Sequence, residues 1–138
     1  MNQPDTPPMQ CELALRVRYA ETDPMGVLHH SRYFVYFEMG RTELLRQAGF
    51  RYRDLEERDV LFVVFKAACQ YKFPARYDDE LRLVTRIDRI TRSRIDHSYE
   101  LIRAADNRLL ATAQTTLACV DRTGLVIAIP DEIYPDAG

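Results

Sequence analysis

Apolar and polar residues alternate with a period of two over much of this chain, which is the pattern of half-buried strands. From Cys11 to Tyr19 the odd positions Leu13, Leu15, Val17 and Tyr19 are apolar, with Glu12, Arg16 and Arg18 between them. The alternation returns at Leu61, Val63, Phe65, Ala67, Cys69, Tyr71 and Phe73, and stops at Pro74. Three further runs follow, over Leu81 to Ile87, Ile95 to Leu101 and Leu109 to Val120. The breaks between them, Thr91-Arg92-Ser93, Asp106-Asn107 and Asp121-Arg122-Thr123-Gly124, are turn residues. Turns this short predict antiparallel neighbours. A brief run, Leu125 to Ile129, precedes Pro130.

One segment has a helical period instead. After the turn-rich stretch Ala20 to His30, Ser31 is placed to cap a helix running to about Ala48, with Gly49 as its stop signal. Phe34, Phe37, Arg41, Leu44, Leu45 and Ala48 share one face, while Val35, Tyr36 and Met39 make the first half apolar nearly all round. That predicts burial on more than one side. Gly40 in the middle costs about 1 kcal/mol against alanine, so close packing there is expected. The order of elements is strand, one long helix, then four or five strands. This is an α+β layout in which a curved antiparallel sheet wraps one buried helix. A single domain is expected over 11–138, preceded by a flexible tail over 1–10 that holds three of the seven prolines.

Composition narrows the function. A chain of 138 residues with net charge −2 has no global field to hold a polyanion, so no nucleic acid partner is expected. No apolar run approaches the roughly 18 residues of a membrane helix, so membrane insertion is not expected either. Cys11, Cys69 and Cys119 are widely spaced in apolar segments, which fits buried thiols in a reducing compartment and a cytoplasmic location. No His, Cys and carboxylate cluster has metal-ligand spacing, and no glycine-rich phosphate loop is present, so no cofactor is expected. All but two of the 19 basic residues are arginine, a side chain whose planar fork suits phosphate and carboxylate, or simply a background preference for Arg.

The most chemically suggestive segment runs from Tyr19 to Tyr33. Asp23 lies in a turn just before the N-terminus of an apolar helix, where unpaired backbone N–H groups carry partial positive charge. Such donors can hold the oxygen of a carbonyl under attack, and a neighbouring carboxylate can attack that carbonyl or activate a water. Gly26 would allow backbone to approach a ligand closely. The same residues also serve as ordinary turn and capping chemistry.

The stretch Arg16 to Tyr33, with its Glu21-Thr-Asp-Pro-Met-Gly-Val-Leu-His-His30 centre, resembles the active-site motif of the hotdog-fold acyl-CoA thioesterases. The group is that of 4-hydroxybenzoyl-CoA thioesterase and the YbgC-type enzymes. The resemblance continues through Phe37-Glu38 and Arg41 to Arg46, returns at Tyr71 to Asp79, and again at Cys119 to Gly124 and Pro130. It implies a hotdog fold, assembly into a homodimer or homotetramer, and hydrolysis of an acyl-CoA substrate. It further implies that Asp23 is the catalytic carboxylate, as nucleophile or general base, and that the backbone N–H of His30 polarises the thioester carbonyl. Histidine at this position is the YbgC-like choice, where the hydroxybenzoyl branch has tyrosine. A non-catalytic acyl-CoA or acyl-carrier-protein binding module on the same fold is the alternative.

Other residues carry double readings. The His30 imidazole can bond Asp23 or the substrate, or only cap the helix, and His29 can be no more than a wall. Tyr33 and Phe34 suit the core as well as an acyl pocket; Tyr33 is retained with Gly26 as a substrate-binding candidate. Glu38, with Arg41 and Thr42 three and four residues on, reads as a structural pair. His97 reads as a satisfied core histidine. Arg86, Arg89, Arg92 and Arg94 gather at one hairpin, with Arg122 in a later turn. Family members place basic residues near these turns against the CoA phosphates, and Arg89, Arg92 and Arg94 are the candidates here, although Thr91 and Ser93 occupy two of the expected positions.

Overall fold

The computed structural model describes residues 7–134, so residues 1–6 of the expected tail lie outside the described residues. Strands β1 (Gln10–Arg16), β2 (Leu61–Tyr71), β3 (Glu80–Ile90), β4 (Arg94–Arg103) and β5 (Arg108–Val120) form one antiparallel sheet in the order β1-β3-β4-β5-β2. Helix α1 (Arg32–Gln47) packs on its inner face, and a short helix α2 (Tyr52–Glu57) leads into β2. The ladder begins slightly before Cys11, because the Ile87 N–H donates to the Met9 carbonyl at 2.8 Å.

The period of two explains which side chains meet the helix. Leu81, Leu83, Thr85 and Ile87 of β3 and Ile95, His97, Tyr99 and Leu101 of β4 are all buried, with Leu83 opposite Leu101 and Thr85 opposite Tyr99. The core forms two clusters, one around Tyr36 and Phe37, the other around Leu44, Leu55 and Ile133. Gly40 sits between them. A Cβ there would overlap Thr85 Oγ1 and come within 2.8 Å of Leu83 Cδ2, so the helix approaches β3 more closely than any larger residue allows.

Several expectations are corrected. Helix α1 is covered on one flank only: Tyr33, Tyr36, Phe37 and Leu44 are buried, but Val35 and Met39 are exposed. Strand β2 is an edge strand, bonded to β5 alone, and its Val63, Val64 and Phe65 are exposed despite their alternation. A bulge between Val64 and Lys66 interrupts its register. Tyr19 lies beyond the end of β1 in a 3₁₀ turn and is exposed, edge-on to Tyr77 at 5.7 Å. The charged stretch after Phe50 forms α2, anchored by buried Leu55 with Tyr52 packed on the same cluster, too few apolar positions to set up a visible period. Glu38 makes no ion pair with Arg41; its carbonyl accepts from Thr42 Oγ1, while Arg41 donates to the Tyr99 hydroxyl at 3.1 Å. His97 is buried, yet its Nδ1 has no partner. Burial, with the Arg41 charge nearby, pushes its pKa down to about 3 and keeps the ring neutral.

Candidate active site

The segment between β1 and α1 is held from both sides. Just past the end of β1, Val17 N–H donates to the Asp79 carbonyl at 3.0 Å and its carbonyl accepts from Asp78 N–H at 2.9 Å. Leu28 N–H donates to the Ala75 carbonyl at 2.7 Å, and His29 N–H to the Glu21 carbonyl at 2.9 Å. Within this frame Asp23 folds a tight loop: its backbone N–H donates to the Val27 carbonyl at 2.9 Å, and Gly26 N–H returns to the Asp23 carbonyl at 2.9 Å. Gly26 has φ +78°, a left-handed conformation that glycine adopts freely. Nothing crowds its Cβ position, so the turn, not a close approach, requires the glycine.

That loop divides the work of the Asp23 carboxylate. Oδ1 accepts from Met25 N–H at 2.8 Å and from Val27 N–H at 3.4 Å, while Oδ2 has no partner among the described residues. Asp23 lines an open cleft of about 320 Å³ with Val27, Leu28, His30, Tyr33, Tyr71, Lys72, Phe73 and Pro74. Of the candidate site residues, Asp23, His30 and Tyr33 come together in this one cleft. Gly26 shapes the loop without lining the cleft.

The start of α1 differs from the expected cap. Ser31 has helical backbone angles (φ −68°, ψ −23°), and its hydroxyl bonds His29 Nδ1 at 2.8 Å instead of a helix N–H. Ser31 N–H also donates to His29 Nδ1, at 3.2 Å, and Arg32 N–H to the His29 carbonyl, at 2.9 Å. His29 N–H is taken by Glu21. The N–H of His30 alone, on this turn, meets no acceptor among the described residues. Its imidazole is exposed and lies against that of His29, with ring centroids 4.3 Å apart, and it makes no bond to Asp23.

Sequence reasoning missed three contributors. Glu21, 4% exposed, accepts from Arg18 N–H at 2.9 Å and from the Tyr36 hydroxyl at 2.8 Å. Burial raises its proton affinity, but these bonds and the Arg18 guanidinium together hold its pKa below the ordinary glutamate value. Tyr36 thereby ties the turn to α1. Tyr71, at the end of β2, donates its hydroxyl to the His30 carbonyl at 3.0 Å across 41 residues of sequence. Glu21 and Tyr71 fall inside the stretches that carry the family resemblance, which gave neither a role, and Tyr36 read only as an apolar position of the helix.

The arginine candidates are not at this cleft. Arg89, Arg92 and Arg94 are exposed around the β3–β4 hairpin, whose Ser93 carbonyl bonds Cys119 N–H near the opposite end of the sheet. Arg94 lies over the Phe65 ring, 4.8 Å from its centroid. Arg86 pairs with Glu100, and Arg122 bonds the Glu56 carbonyl at 2.8 Å. Among the described residues no group of His, Cys, Asp or Glu could hold a metal ion, and no helix is long and apolar enough to cross a membrane.

Comparison with known proteins adds a lineage to this geometry. The family model of the thioesterase-like superfamily matches residues 17–135. The acyl-CoA thioesterase YbgC of Haemophilus influenzae is 36% identical over 121 residues, covering 86% of this chain and 88% of that protein. The acyl-CoA thioester hydrolase YbgC of Escherichia coli is 36% identical over 107 residues, covering 78% and 79%. Among solved structures, the DHNA-CoA thioesterase of Staphylococcus aureus superposes with a TM-score of 0.85 at 30% identity, covering 92% of this chain and 85% of that one.

Proposed function

Because this chain belongs to the thioesterase-like superfamily of hotdog-fold proteins, we propose that it hydrolyses an acyl-CoA thioester to a free carboxylic acid and CoA, with Asp23 as the catalytic carboxylate. The observation that carries the assignment is the split of Asp23: Oδ1 is occupied by Met25 and Val27 while Oδ2 is unpaired, and Asp23 lines the same cleft as His30, whose N–H is also unpaired. A thioester carbonyl in this cleft accepts from the His30 N–H, where the N-terminal partial charge of α1 favours the growing oxyanion. Asp23 Oδ2 either attacks the carbonyl carbon or takes a proton from the water that does. In the first route collapse breaks the C–S bond and leaves an acyl–aspartyl anhydride, which water then cleaves to the free acid and Asp23, the water's proton going to the CoA thiolate. In the second, collapse of the water adduct breaks the C–S bond and the proton held by Asp23 passes to the departing thiolate.

Tyr33 and Phe73 wall the cleft and suit the acyl group. The CoA phosphates are assigned to the exposed arginines Arg89, Arg92 and Arg94, supplied by a second copy. Eleven residues of β2 extend roughly 35 Å, so one chain does not bring its own hairpin to its own cleft. Antiparallel pairing of two β2 edges would carry the hairpin of one copy toward the cleft of the other. The exposed Val64 and Phe65 on that edge fit such a homodimer.

Thiol release from a panel of aliphatic and aromatic acyl-CoAs tests this reading. Wild-type protein turns over at least one, and Asp23→Asn reduces kcat by at least about a thousandfold. Near wild-type turnover by the variant overturns the site; tight binding with no turnover by the wild type points to a binding module instead. Arg92→Ala with Arg94→Ala raises KM about tenfold while kcat holds, and an unchanged KM removes these arginines from the substrate site.

A further inference from the structure

Beyond the reacting groups, one contact reaches the site from the sheet. Tyr71 is the last residue of β2, and its ring stands edge-on to Tyr33 with centroids 4.8 Å apart. Its hydroxyl donates to the His30 carbonyl at 3.0 Å. With 47% of its surface exposed, Tyr71 contributes little to the core, so the hydroxyl bond is its most specific interaction. We propose that Tyr71 is a positioning residue for thioester hydrolysis: by holding the His30 carbonyl it fixes the turn that aims the His30 N–H at the substrate carbonyl.

The peptide planes on either side of His30 show why this bond matters. The plane before it carries the His29 carbonyl and the His30 N–H, which point in opposite directions across a trans peptide. Arg32 N–H holds that carbonyl from within the same turn. The plane after it carries the His30 carbonyl and the Ser31 N–H. The N–H meets only the exposed His29 ring two residues away, so the turn constrains itself there. Tyr71 supplies the sole side-chain bond to the His30 carbonyl among the described residues, and it comes from the sheet. It thus references the oxyanion donor to β2 and to the Lys72-Phe73-Pro74 wall of the cleft. Burial, with Cys69 beside it, raises the Tyr71 pKa to about 12, so the phenol keeps its proton through any ordinary assay range.

This inference rests on the thioesterase reading, and the test separates the two. Wild type, Asp23→Asn and Tyr71→Phe are compared by steady-state thiol release on the acyl-CoA that the wild type hydrolyses fastest. Tyr71→Phe keeps the ring against Tyr33 and removes only the hydroxyl. Its kcat is expected to fall about tenfold, with KM within about twofold and Tm unchanged, because a small misalignment of a transition-state donor costs rate without binding. In the Asp23→Asn background, the infrared carbonyl band of the same bound acyl-CoA is expected to be less red-shifted once Tyr71→Phe is added. An unchanged kcat in Tyr71→Phe, with Asp23→Asn inactive, overturns the role of Tyr71 and leaves the thioesterase reading intact. A joint change of kcat, KM and Tm makes Tyr71 a structural residue and also overturns it. A wild type that hydrolyses no acyl-CoA overturns both.

Discussion

At the scale of single residues, chemistry depends on which polar atoms the fold leaves unspent. Asp23 Oδ1 is consumed by two backbone N–H groups, and Oδ2 is left over. His29 spends its Nδ1 and its carbonyl on the same turn, and the His30 N–H is left over. On the proposed reading His30 acts through its backbone: His30→Ala is expected to keep kcat within about threefold of wild type in thiol-release assays, because the N–H remains. His97 makes a different prediction. Its pKa is about 3 in the folded protein, against 6.5 when unfolded, so the unfolded chain binds more protons between these values. Stability is therefore full above pH 6.5 and falls as pH drops toward 3, by up to about 1.4 kcal/mol per pH unit. Urea unfolding across this window should show that slope, and His97→Gln should flatten it.

At the scale of elements, the contact of α1 with β3 decides the architecture. Gly40 is the point of closest approach, and the Cα hydrogen that stands where a Cβ would be faces the Thr85 hydroxyl and Leu83. Gly40→Ala gains helix propensity of about 1 kcal/mol but must push β3 away, so a net loss of about 2 kcal/mol is expected by chemical denaturation. Thr85→Ala opens the space, and the double variant should be more stable than the sum of the two single losses predicts. The periodicity of β3, β4 and β5 was legible because each has one face on the helix and alternates accordingly. That of β2 was equally legible as a strand and misleading about burial: as an edge strand it leaves Val63, Val64 and Phe65 exposed, and alternation by itself does not say what covers a face. Helix α2 was illegible, since six residues with one buried leucine carry no period.

At the scale of the molecule, the cleft and the arginine hairpin lie toward opposite ends of one sheet. A complete substrate site on the proposed reading needs a second copy, and the free β2 edge is where it would join. Phe65→Asp places a charge on that edge beside the neighbouring apolar side chains. It is expected to convert a dimer to monomer in sedimentation velocity and to lower kcat/KM at least about tenfold, while the monomer stays folded by circular dichroism. A variant that remains dimeric and active would put the assembly elsewhere.

The sequence alone determined the strands, the long helix, the loop with Asp23 and Gly26, and the family resemblance, because each is local or motif-borne. Alternation, caps and turn residues act over a few neighbours, and a few neighbours suffice to read them. Only the tertiary structure decided that Glu21 is buried under Tyr36, that Tyr71 reaches His30, that His97 lacks a partner, and that the arginines stand far from Asp23. The two pairings span 15 and 41 positions of sequence, and the other two depend on what the folded sheet places beside His97 and at its opposite ends. No local pattern encodes them; they are set by which faces the chain can bury once the sheet has closed on the helix.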